Sequence, residues 1–103
     1  LGQYQRAIQD YDEALRINPQ YADAYYNRGL AYYDLGQYQR AIQDYDEAIR
    51  INPQYKSAYH NLALVYTVLD LDVRAQQYVD RAVELGADRA EMEEKLRHAR
   101  TLR

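Results

Sequence analysis

No cysteine occurs in the 103 residues, which removes disulfides, thiolate metal sites and cysteine nucleophiles together. Phenylalanine and tryptophan are missing too, so all 13 aromatic rings are tyrosines. A tyrosine ring packs like that of phenylalanine but needs a place for its hydroxyl. That favours a thin architecture, in which the ring is buried and the tip stays wet. The four glycines are widely spread, which leaves no glycine-rich loop to cradle a phosphate. No apolar run approaches the roughly 20 residues of a bilayer-spanning helix, so no membrane insertion is expected. No signal peptide is visible, although the chain begins at Leu1 rather than at a methionine. Excess positive charge is also lacking. The formal net charge of −3 gives a whole-chain field that favours neither nucleic acid nor an anionic membrane. The length suits one modest domain, expected to span residues 1–103.

What is present is repetition. LGQYQRAIQDYDEALRINPQY at residues 1–21 returns as LGQYQRAIQDYDEAIRINPQY at residues 35–55, with 20 of 21 positions identical and only Leu15 and Ile49 differing. A period of 34 residues is the mark of a repeat architecture. Within it, Tyr38, Ala41, Ile42, Tyr45, Ala48 and Ile49 fall at three-and-four spacing, one stripe of an α-helix. Asn52-Pro53 stops that helix, because the residue before proline is pushed out of the helical region. Ala24, Tyr25, Arg28, Gly29 and Tyr32 form a second stripe, with Leu30 and Tyr33 beside it, and Gly36 allows the turn into the next helix. One period is therefore helix, tight turn, helix, Asn-Pro turn.

Tyr25, Arg28-Gly29, Tyr32, Ala41, Tyr45, Ala48 and Pro53 together resemble the tetratricopeptide repeat, whose pattern places an aromatic, a Leu-Gly pair, a tyrosine, spaced alanines, an aromatic and a proline in this order. Arg28 departs from it where leucine is preferred; its stem is expected to pack while its head reaches water. The resemblance is strong over residues 1–68. Further on, Asp70 replaces the turn glycine, Val79 the aromatic and Ala87 the proline, as at the end of an array. Asp88 reads as the N-cap of a closing helix, with Met92, Leu96 and Ala99 covering the last repeat. The resemblance implies an all-α, right-handed α-solenoid of antiparallel helix-turn-helix repeats with a C-terminal capping helix. The parts are the second helix of a partial repeat (1–20), a full repeat (21–54), a divergent repeat (55–87) and the cap (88–103).

Catalytic chemistry finds no footing. His60 and His98 are 38 residues apart, too far for a helical zinc motif and one ligand short. Asp10 and Asp12 recur as Asp44 and Asp46, and paired carboxylates can do acid–base work. On a copied outer helix beside Arg6 and Arg40, a solvated charged face is the better reading. LDLD at 69–72 lacks the glycine and glutamate of a calcium loop. The expectation is a non-enzyme without metal or cofactor.

A binding surface is easier to argue. The outer helices are near copies, whereas YADAYYNRGLAYYD and YKSAYHNLALVYTV, the inner ones, agree at only 6 of 14 positions. In the resembled family the first helices line a concave groove that holds a peptide or a partner helix. Carried over by position, that groove would be lined by Asp23, Tyr26, Asn27, Leu30, Tyr33 and Asp34, then by Ser57, His60, Asn61, Leu64, Thr67 and Val68. Asn27 matches the asparagine of the family's clamp for the terminal carboxylate of chaperone peptides. The clamp's lysine and arginine fall on Ser57 and Asn61, so chaperone-tail binding is not expected. The groove suits a ligand with aromatic or aliphatic side chains and a basic residue. A second reading is that the apolar face of Tyr4, Ala7, Ile8 and Tyr11 is covered either by another copy of the chain, giving a homo-oligomer, or by further repeats that precede it. A third is a designed or consensus-like scaffold without a ligand.

Overall fold

The computed structural model describes residues 2–103. They form six α-helices and, among the described residues, no strand: α1 (Gly2–Ile17), α2 (Ala22–Asp34), α3 (Tyr38–Ile51), α4 (Lys56–Val68), α5 (Asp72–Glu84) and α6 (Arg89–Arg100). The chain divides into two compact units, Leu1–Pro53 and Gln54–Arg103.

In the first unit α2 lies between α1 and α3, packing more extensively on α3. The Asn-Pro turn after α1 is closed by its own side chain: Asn18 Oδ1 accepts the Gln20 N–H at 3.1 Å. The turn after α2 is closed by Gly36, whose φ of 75° lets Gly36 N–H reach Tyr33 O at 2.9 Å and Gln37 N–H reach Tyr32 O at 2.8 Å. The core of this unit is made of small residues interleaved with large ones. Ala24, Ala31, Ala41 and Ala48 are buried beside Ile42, Leu15 and Tyr45. Tyr45 departs from the ring-buried, tip-wet expectation for tyrosine, since the whole side chain is enclosed. Gly29 is where α2 meets it. A Cβ at Gly29 would lie 2.8 and 2.9 Å from two Tyr45 ring carbons, so only glycine fits against that ring.

In the second unit α4 is the hub, packed on α5 and covered from another side by α6. Asp70 takes the place of the turn glycine and also its conformation, with φ 63° and the same pair of closing bonds, to Thr67 O at 3.0 Å and from Leu71 N–H to Tyr66 O at 2.8 Å. Aspartate tolerates the left-handed region better than most residues, so losing the glycine changed the strain of the turn and not its shape. Asp88 caps α6, accepting the Glu91 N–H at 3.1 Å. Met92, Leu96 and Ala99 are buried as the cap requires.

Each unit keeps one cross-helix contact from the repeat. Arg40 sits over the Tyr32 ring at 5.6 Å, and 34 residues later Arg74 sits over Tyr66 at 5.4 Å.

Candidate functional site

The ionic residues of the first unit differ most from expectation. Arg28 does not carry its head out to water. Its Nε and Nη2 donate to the two Asp44 carboxylate oxygens at 2.9 and 2.8 Å, and its Nη1 donates to Asp12 Oδ1 at 2.9 Å. Asp10, Asp12 and Asp46 are exposed as a solvated face should be, but Asp44 is only 4% exposed. The reading of the duplicated aspartates as a charged outer surface therefore fails at Asp44. The pair is unequal. Its hydrogen bonds to Asp44 hold the Arg28 guanidinium more firmly protonated than usual. Burial nevertheless lifts the Asp44 carboxyl above the ordinary range, with Arg28 drawing it back only in part. The side chain that breaks the Leu-Gly pattern thus ties α2 to both α1 and α3.

The expected groove positions separate into three kinds. Asn27, Leu30 and Asp34, one face of α2, come together and line a cleft of about 210 Å³. Its other wall is Tyr4, Ala7 and Tyr11 of α1, so residues read as a groove and residues read as a self-association face share one surface. Tyr4 is 39% exposed, while Ala7, Ile8 and Tyr11 are half-buried.

Tyr26 and Tyr33, by contrast, turn toward α3. Their rings lie 5.8 Å from Tyr45 and 5.5 Å from Tyr38, and both are half-buried. Burial raises the Tyr33 hydroxyl pKa, with Tyr38 and Asp34 adding to it. Asp23 is exposed in the first turn of α2.

On α4, Ser57 is exposed and His60, Asn61 and Leu64 are half-buried. Thr67 is fully enclosed, its hydroxyl donating to Ala63 O at 2.8 Å, and Val68 is buried as well. Neither offers a surface to a ligand. Helical periodicity alone could not separate them from Leu64, because α4 is buried on more than one face by α5 and α6.

His60 lines a cleft of about 280 Å³ between α4 and α6, with Lys56, Asp88, Glu91, Met92 and Lys95 around it. Its Nε2 is shut off from solvent and makes no hydrogen bond among the described residues. Burial, and then Lys95, push its pKa below the ordinary imidazole value, so the ring is neutral at pH 7. Sequence reasoning found His60 but missed Lys56, one turn before it on α4, and Lys95, which α6 brings to the cleft from outside the repeat. Among the described residues no group of three histidine, aspartate or glutamate side chains could hold a metal ion. No described helix is long and apolar enough to cross a membrane.

Two family models match, one described as tetratricopeptide repeat over residues 22–55 and one as TPR repeat over residues 1–36. Among solved structures, MamA is 34% identical with a TM-score of 0.78, the match covering 90% of this chain and 52% of MamA. The chain thus spans about half of that relative's length. The first TPR of Spaghetti (RPAP3), bound to the HSP90 peptide SRMEEVD, is 26% identical with a TM-score of 0.86, covering 97% of this chain and 79% of that one. A tetratricopeptide repeat protein from Parabacteroides merdae is 27% identical with a TM-score of 0.82, covering 97% and 40%. Comparison with curated proteins finds no match.

Proposed function

Because the chain belongs to the tetratricopeptide repeat family, we propose that it is a non-enzymatic interaction scaffold that holds a peptide segment on the open faces of its first helices. The observation that carries this is the convergence of Asn27, Leu30 and Asp34 on one cleft beside Tyr4 and Tyr11. An amide, a branched apolar side chain, a carboxylate and two tyrosine rings offer contact area, a backbone-bonding group and a charge in a small space. A ligand with an apolar anchor and a neighbouring basic residue fits this chemistry. Support comes from the Spaghetti repeat, a structural neighbour that is bound to a peptide.

The second unit offers a patch of different character. The His60 ring lines the cleft between α4 and α6, but its Nε2 is shut off from solvent, so a ligand donor would reach that nitrogen only if the cleft opened. Ser57, Asn61 and Leu64 extend the same helix face.

Tyr26 and Tyr33 are poor sites for testing this reading, because truncating them would strip the packing on α3. The test is a peptide-library pull-down with the chain beside Asn27→Ala/Leu30→Ala, with fold checked by circular dichroism. Enrichment of a motif that the folded double variant fails to enrich is the expected result. Equal enrichment by both proteins, or none by either, would remove the α2 face from consideration.

A further inference from the structure

His60 stands where two helices meet. The cleft that its ring lines is walled by α4 on one side and by the Gly86 turn and α6 on the other. A neutral imidazole carries one N–H, so it can leave the enclosed Nε2 as a bare lone pair at modest cost. An imidazolium carries an N–H on both nitrogens. With α6 in place, a proton on Nε2 would be a buried donor without an acceptor, on a ring newly charged.

The charged groups around the ring do not relieve this. Lys56, one turn earlier on α4, and Lys95 of α6 are both cations. The carboxylates of the cleft are Asp88 and Glu91. Asp88 is committed to capping α6, accepting the Glu91 N–H at 3.1 Å, and the Glu91 side chain is exposed. Among the described residues α5 contributes no charged group to the cleft, and His98, exposed on α6, lies outside it.

What holds α6 is able to yield. It packs chiefly on α4 and only lightly on α5. Its links to α5 are a long bond from Gln76 Nε2 to Glu93 Oε1 at 3.5 Å and an exposed ion pair of Arg89 with Asp80 at 3.0 Å. Exposed pairs of that kind contribute little. The preceding turn runs through Gly86, whose φ of 107° suits only glycine. Against this, Met92, Leu96 and Ala99 are enclosed, so α6 stays docked in most molecules. What a proton changes is how often it opens.

We propose that His60 is an acid-sensitive latch on α6: protonating its ring loosens α6 from α4 about the Gly86 turn and opens the α4 side of the cleft, Lys56 and His60, to a partner. Burial, and then Lys95, hold the docked ring below the ordinary imidazole value, whereas a ring freed into water titrates near 6.5. Protons therefore favour the open form, and the effect grows as pH falls through about 6.5 and is absent above about 7.5. The free ring sets the ceiling. At pH 5.5 it is about ten-to-one protonated, so the open fraction rises by roughly tenfold at most. The latch is independent of the cleft on α1 and α2.

The test is hydrogen–deuterium exchange of the whole chain between pH 7.5 and 5.5, read by mass spectrometry and corrected for the intrinsic pH dependence of amide exchange. Amides of α6 should lose protection several-fold, up to roughly tenfold, while those of α5 and of the first unit keep theirs. His60→Gln keeps a polar side chain that never charges and should leave α6 flat across the range. Lys95→Glu places a carboxylate opposite the ring and should abolish or reverse the step, which a purely structural histidine would not do. Lys95 is exposed, so this variant decides alone if His60→Gln does not fold. His98→Gln should leave the step intact. A loss of α6 protection below about twofold in the parent chain would overturn the proposal. So would a step that survives His60→Gln or Lys95→Glu, one that His98→Gln removes, or an equal loss across α4, α5 and α6, which would be unfolding of the whole unit.

Discussion

Arg28→Leu installs the residue that the family pattern prefers and that Leu62 already holds one repeat later. A replacement of this kind ordinarily stabilises. Here it should destabilise, and the size follows from the geometry. The substitution removes two hydrogen bonds of 2.8 and 2.9 Å from a carboxylate that is 4% exposed. Breaking a buried pair on one side costs about 3–5 kcal/mol. The loss is capped, because Asp44 can take a proton instead. At pH 7 that costs about 4 kcal/mol, from some three pH units at about 1.4 kcal/mol each. Leucine burial returns about 1–2 kcal/mol. The contact with Asp12 is half-exposed and contributes under about 1 kcal/mol. The net expectation is a loss of about 2 kcal/mol at pH 7, read as a shift in the urea midpoint. The pH dependence is the sharper part. Without Arg28, the folded-state pKa of Asp44 rises further above its unfolded value. The variant therefore keeps its stability below about pH 4, near the unfolded value, and loses it as pH rises. At pH 4 the gap to the parent chain should shrink below about 1 kcal/mol. Adding Asp44→Tyr, the second repeat's partner, should recover part of the loss at pH 7. An Arg28→Leu chain as stable as the parent at pH 7, or an equal deficit at pH 4, would refute the reasoning.

Other outcomes follow from the same coordinates. Gly29→Ala gains up to about 1 kcal/mol of helix propensity but overpacks the enclosed Tyr45 ring by about 1–3 kcal/mol, so thermal melting should show a net loss. Asp70→Gly relieves a left-handed residue and should raise stability by about 0.5–1 kcal/mol in urea, even though it gives up an exposed pair with Arg103. Asp88→Ala removes the N-cap of α6 and should cost about 1 kcal/mol, while Asp88→Asn should cost little. His60 is held below the ordinary imidazole value of about 6.5, so the fold favours its neutral form. Stability should be unaffected above about pH 7, fall as pH drops through about 6.5, and level off below the folded value. His60→Gln should remove that step from urea midpoints measured between pH 7.5 and 5.5.

The hairpins and their cap were legible because the signals that make them are local: a three-and-four stripe, a Gly or Asn-Pro stop, an aspartate before acidic residues. The ion triad was not, although its trace was present. Arg28 and Asp44 change together to Leu62 and Tyr78, a pairing that becomes visible only once the two repeats are laid over each other and α2 is known to face α3. The binding surfaces were harder for another reason. Periodicity assigns residues to a helix face, but not which neighbour claims that face. Leu30 and Thr67 both sit on an expected groove strip; Leu30 lines a cleft and Thr67 is enclosed. The tyrosines divide in the same way, with Tyr26 and Tyr33 turned to α3 while Tyr4 and Tyr11 line the open cleft.

The duplicated outer helix also sets a problem for the folding chain. While α2 is forming, it is flanked by two segments of nearly the same sequence, and its Arg-Gly edge is suited to either. Their residues barely distinguish them, since only Leu15 and Ile49 differ. The connections do: the left-handed Gly36 and its two closing bonds fold α2 back onto α3 within a few residues, whereas α1 is joined to α2 through the differently built Asn18-Pro19 turn. Gly36 therefore acts as an arbiter between duplicates. A bulky residue there would weaken one turn and also let identical helices compete, turning a small local strain into a fault of pairing.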